Sequence, residues 1–211
     1  MKNKEIITTV FFIVASLFLY TIFNGDNIFQ KTVISLVFFV ALPILFNKFI
    51  LKGTIDLFGL KIGDWRQGLL WSFYSLIAVG FIFFVISKYL GFFNHYAAPF
   101  FIVIDFGRFL LYEFAVVAVL IAVYEFYFRG FVMFVFESSF KYWAILIQTL
   151  IFVILVLSAR DSVVFYMFLP YLIFTPFAGF IAYKSKSILY SGISQFLIVV
   201  FLDTIFIKMI K

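Results

Sequence analysis

Four charged side chains lie inside long apolar runs of this sequence: Glu113, Glu125, Arg129 and Asp203. A charge in mid-bilayer costs about 2.5–3.5 kcal/mol on insertion scales, so each of them needs a partner or a task. Glu125 and Arg129 stand four apart with the acid first, the order that favours an ion pair on one helix face. A carboxylate held by a guanidinium is a weak proton acceptor, so the pair reads as structural before it reads as a base. Glu113 comes twelve residues before Glu125, about 18 Å along a helix axis. The two therefore cannot form a catalytic dyad. Asp203 stands near the end of the last apolar run, where water can reach it. The chain has one His, His95, in a polar stretch, and no Cys. Disulfides, thiolate sites and Cys nucleophiles are excluded, and the ligands for a zinc centre are missing. No metal or other cofactor is expected.

The elements that carry these residues follow from composition. Of the 211 residues, 66% are hydrophobic and 12% charged, where a soluble domain has about a quarter charged. Lipid must replace the missing polar surface, and the 36 Phe residues supply lipid-facing bulk. A helix needs about 20 apolar residues to cross the hydrocarbon core. Seven runs qualify: Ile6–Phe23, Thr32–Phe49, Leu69–Lys88, Phe109–Phe128, Trp143–Leu157, Val163–Tyr183 and Ile188–Ile207. The fourth can extend from Phe101 to Phe136. Unpaired backbone is not tolerated in lipid, so the fold class is all-α. It is a polytopic transmembrane bundle of seven helices, or eight if residues 91–108 hold a short or re-entrant one. The whole chain, 1–211, reads as one membrane domain, with its first helix retained rather than cleaved.

The net charge of +6 is scattered between the apolar runs. That argues for contact with anionic lipid headgroups and against nucleic acid. With a cytoplasmic N-terminus, ten of the Lys and Arg residues fall in inner segments and six outside, which favours that orientation. Leu51–Gly68 is the most polar stretch and carries Gly53, Asp56, Gly59, Gly63, Asp64, Trp65 and Arg66. It is expected to be an interfacial connector. Residues 91–99 form an external loop with His95 at its surface. Pro170 and Pro176 predict a kink in the sixth helix. Ser194 and Gln195 are expected to hydrogen-bond between helices, and Tyr124 and Tyr127 to pack at the centre.

The segment Tyr124-Glu125-Phe126-Tyr127-Phe128-Arg129-Gly130 resembles the first motif of the CAAX-protease and bacteriocin-processing family (CPBP, or Abi), Glu-Glu-x-x-x-Arg followed by Gly. Ala144 to Phe152 is similar to the helix that bears the second motif, Phe-x-x-x-His. Gly179 to Gln195 resembles the approach to the third, His-x-x-x-Asn. The resemblance covers about residues 100–202, with a weaker likeness at Leu60–Trp71. It implies a bundle around an intramembrane endopeptidase site, where the first Glu and the two His activate water. Here Tyr124 stands for that Glu, Val156 for the second-motif His, Gln195 for the third-motif His and Val199 for the Asn. A shift of one residue gives Ser194 and Ile198. Glu125, Arg129 and Phe152 alone match the motifs.

Other intramembrane hydrolase patterns are absent. There is no His-Glu-x-x-His helix. Asp203 lacks a Gly-x-Gly-Asp setting, and Gly192-Ile193-Ser194 is followed by Gln195, not by Gly. Three readings stay open. One is a member of the family without hydrolytic activity, serving as an adaptor or regulator of another membrane protein. Its contact face would be lined by Tyr124, Glu125, Phe128, Arg129, Phe152, Val156, Gln195 and Val199. The second is an endopeptidase that uses Glu125. The third is a small transporter or lipid-handling protein with Glu113 and Asp203 along its path. The setting expected for all three is a bacterial or archaeal plasma membrane.

Overall fold

The computed structural model describes residues 3–23, 28–54, 58–96, 98–99, 101–158 and 162–210. Asp56, and Lys2, Arg160 and Lys211 of the charge count, lie outside them. The described residues are helical wherever the apolar runs predict it, and none is in a strand. We label the helices α1 (Asn3–Ile22), α2 (28–51), α3 (Trp65–Leu90), α4 (Phe106–Phe140), α5 (Trp143–Ser158), α6 (Ser162–Ser185) and α7 (Leu189–Ile210). Six are long and apolar enough to span a membrane, and α5 is a shorter apolar helix. Large side chains such as Phe11, Phe81 and Ile154 stand exposed along their outer faces, as lipid-facing residues must.

Helix ends fall where the sequence supplies caps. Asp64 accepts from the Gln67 amide at 3.1 Å and starts α3, and Gly91 at φ 60° ends it. Asp105 accepts from the Gly107 amide at 2.9 Å and starts α4. The fourth span therefore begins at Phe106 rather than Phe101, because Asp105 is a better cap than helix former. Residues Phe92–His95 and Phe101–Ile104 form two short helical turns, not an eighth span. The two prolines of α6 lie inside a helix that runs on through both.

At the centre, α6 packs against α3, α5 and α7, and α4 packs against α5 and α7. The first helix is tied in through Ser16, whose hydroxyl lies 2.7 Å from that of Tyr127 on α4, and through Phe12, stacked on Phe46. Tyr127 thus faces α1. The connector before α3 is more than an interfacial strip. Phe58 is fully buried against Phe126 and Phe131. The Asp64 amide donates to the Ser185 carbonyl at 2.8 Å, and the Ile188 amide to that of Gly59 at 3.1 Å. These bonds clamp the connector over the turn between α6 and α7. Trp65 remains exposed beneath Arg66, as suits a headgroup anchor.

Gly63 makes that clamp possible. Its φ is 60°, and a Cβ there would collide with the Ser185 carbonyl. Gly63→Ala is expected to destabilise the fold by at least about 1–2 kcal/mol, the cost of the left-handed conformation before the clash is counted. A thermal-unfolding midpoint in detergent equal to that of the parent protein would refute this.

Candidate functional site

Glu125 opens a π-helical stretch of α4, Glu125–Met133, in which every residue is buried. Such wide turns recur where a helix must present side chains to a functional interior. Arg129 Nη1 lies 3.4 Å from Glu125 Oε1, and the two side chains are 0% and 2% exposed. The pair expected from the four-residue spacing is therefore present and dry. Ser191 on α7 donates to Glu125 Oε2 at 2.5 Å. Arg129 Nη2 donates to Thr175 Oγ1 on α6 at 3.1 Å, and the guanidinium sits 5.9 Å over the Phe152 ring on α5. The Thr175 hydroxyl donates a hydrogen bond to the Tyr171 carbonyl at 2.7 Å, while Gln148 of α5 donates to the Thr175 carbonyl at 3.2 Å. One ion pair thus bonds to or packs against all of the last three helices.

Two glycines leave room for this arrangement. A Cβ on Gly192 would stand 3.4 Å from Glu125 Cγ, and one on Gly179 would stand 2.6 Å from the Gln148 amide nitrogen. Thr175, Ser191 and Gln148 were not singled out from the sequence. Ser191-Gly192 carried a usable signal, because small residues let helices close up around a polar group. Thr175 and Gln148 gave none beyond being polar in an apolar run.

The other motif positions are buried. Tyr124, Phe128, Phe152, Val156 and Val199 belong to one buried cluster. The Tyr124 ring meets Phe152 edge-on at 6.0 Å, and Phe128 meets it at 4.9 Å. Gln195, one turn beyond Ser191 on α7, is 1% exposed, and neither of its amide atoms has a protein partner. Ser194 bonds back to the Tyr190 carbonyl of its own helix at 2.7 Å. The interhelical bonds expected of these two are made by Ser191 instead. Tyr124 and Val199 both line a cavity of about 80 Å³ that also reaches Tyr96, Tyr112, Tyr171 and Asp203.

Asp203 does not stand alone at a hydrated edge. It is 3% exposed, it accepts a 2.7 Å bond from Tyr96, and it lies within electrostatic reach of Glu113, which is 1% exposed. His95 is at the surface, stacked on Tyr166 with ring centroids 4.8 Å apart. No group of three or more His, Cys, Asp or Glu occurs among the described residues.

Residues 107–201, most of α4 through α7, match a family described as Rce1-like: type II CAAX prenyl endopeptidase Rce1-like. The match supports the CPBP family for this chain. It spans the four helices that carry the Glu125–Arg129 pair and every motif position named above. No curated protein and no solved structure matches the chain. The molecule is an integral membrane protein of intramembrane-protease-like type.

Removing Arg129 leaves a buried carboxylate without its counter-charge. Arg129→Ala is expected to cost about 3–5 kcal/mol, whereas Glu125→Gln with Arg129→Met is expected to recover most of that loss. Unfolding midpoints of both variants measure this, and parent-like stability in Arg129→Ala would show that the pair holds nothing.

Proposed function

We propose that this chain is a CPBP-type protein that no longer hydrolyses peptide bonds and acts by binding a transmembrane segment of another membrane protein. The observation that carries this reading is the state of Glu125, the one motif carboxylate left. Arg129 takes one of its oxygens and Ser191 the other, in a dry interior. A general base must reach the proton it removes, from an attacking water or a substrate. Around Glu125, a phenol, a valine and an amide stand where the family has a second carboxylate and two imidazoles. Tyr124 and Val156 cannot take up a proton at working pH. Gln195 can donate and accept hydrogen bonds but is not a base.

Binding has a better place than the motif positions themselves, which are all buried. A lateral groove of about 400 Å³ lies between α3 and α6, lined by Trp71, Tyr74, Ser75, Ala78, Pro176 and Phe177. Ser75 and Ala78 are small enough to let a second helix approach closely. Pro176 directly follows Thr175, which holds Arg129. A helix seated in the groove would therefore press on the residue next to the ion pair.

The test is incubation of the purified chain with prenylated CAAX peptides and with transmembrane peptides, beside Glu125→Gln. No cleavage by either protein is expected. Cleavage by the parent that disappears in Glu125→Gln would overturn the proposal in favour of a residual endopeptidase. Ala78→Trp, on a half-buried position of the groove wall, is expected to abolish cross-linking to any transmembrane peptide that the parent captures, while the variant still unfolds cooperatively.

A further inference from the structure

The lateral groove between α3 and α6 has a basic end that the reading above does not use. Its α3 wall is Trp71, Tyr74, Ser75 and Ala78, spaced three or four apart on one face. Trp71 and Phe180, edge-on at 4.7 Å, are the lining residues nearest the Asp64–Ser185 clamp. Lys184 lies one turn beyond Phe180 on α6 and holds its ammonium 5.5 Å over that ring. Gln67 lies one turn before Trp71 on α3 and accepts the indole N–H at 2.9 Å, which leaves its amide nitrogen to donate. Arg66 and Lys61 are exposed at the same end. Lys184, Arg66 and Lys61 have no ion pair among the described residues. Of the acids there, Asp64 caps α3, and Glu137 pairs with Lys186 across the turn.

The geometry points to one anionic phospholipid as a ligand of this groove, with an acyl chain along its walls and the phosphate at Lys184, Gln67 and Arg66. Depth supports the match. Trp65 is exposed and sits at headgroup level. Trp71 and Ala78 follow it by six and thirteen residues, which is about 9 and 20 Å further along the axis. Half of a bilayer with its headgroups is about 20–22 Å thick, so the groove lies within one leaflet. A lipid tail reaches that depth while its headgroup stays at the surface. The ring and methyl walls match hydrocarbon, and any lipid tail gains from them. The cations select the headgroup, because Lys and Arg stems lie along apolar surface while their charges stay at phosphate level. A zwitterionic lipid fills the same groove but gains less from them. The lipid is the occupant of the unpartnered chain, so the site stands whether or not a transmembrane segment can displace it.

Trp71 reports on the groove. The chain has three Trp residues, and the other two, Trp65 and Trp143, are exposed. The full chain carrying Trp65→Phe and Trp143→Phe would be placed in bilayers that contain dibrominated phosphatidylglycerol or dibrominated phosphatidylcholine, whose bromines quench indole fluorescence on contact. Half-maximal quenching of Trp71 is expected at about fivefold lower mole fraction of the anionic lipid, the order that one well-placed cation gives. The preference should fall to parity in Lys184→Gln/Arg66→Gln, two exposed positions whose replacement leaves the packing alone. It should survive in Lys48→Gln, which removes an exposed cation over Phe49 on α2. Equal quenching by the two lipids in the parent would overturn the proposal. So would a preference that persists in Lys184→Gln/Arg66→Gln, or one that Lys48→Gln lowers as much, which would mean diffuse attraction to headgroups only. No partner peptide is present, so the result is independent of transmembrane-segment binding.

Discussion

The interior of this bundle is organised around one cost, that of keeping a guanidinium and a carboxylate out of water. Arg129 and Glu125 cannot be buried alone, because an unpaired charge in a dry core is heavily penalised. Their mutual attraction leaves nitrogens and oxygens over, and two of these are met by other helices. Ser191 meets one from α7 and Thr175 meets another from α6. Gln148 on α5 then secures Thr175, and Phe152 offers its ring face to the cation. Gly179 sits where a Cβ would collide with the Gln148 amide, and Gly192 lets α7 pass in van der Waals contact with Glu125. The packing of the last four helices can be read as the set of answers to that one desolvation problem. In lipid, where apolar contact between helices has little driving force, such polar bonds decide which helix faces which.

The parts of this arrangement that were legible in the sequence are those set by spacing along one helix. Seven apolar runs of spanning or near-spanning length became seven helices, and Glu125 and Arg129, four apart, became a pair. What was not legible depends on contacts between helices. Asp203 looked like an isolated acid near an edge because nothing along the chain reveals that Tyr96, over a hundred residues earlier, folds back onto it. Glu113 looked partnerless for the same reason. Ser194 and Gln195 drew attention as polar residues, but the helix turns Ser191 toward Glu125 and leaves Ser194 to bond its own backbone. Phe58 was hidden in a stretch whose average polarity reads as interfacial. Its glycine neighbours let the chain dip into the core there.

The family's first motif contains two kinds of residue, and this chain separates them. Glu125 and Arg129 pair with each other and hold helices together, so they contribute to stability whatever chemistry takes place beside them. The first Glu and the two His positions do not contribute in that way. A second carboxylate beside Glu125 adds repulsion, and buried imidazoles need partners of their own. Tyr124 and Val156, at the positions of the first Glu and the second-motif His, avoid that cost and join the apolar cluster that also holds Phe152. The ion pair is intact, and Tyr124 and Val156 beside it in the sequence motifs are buried in apolar packing. Gln195 is the exception, because it is buried and polar without a partner in the protein. A residue in that state costs stability, so packing alone does not account for it.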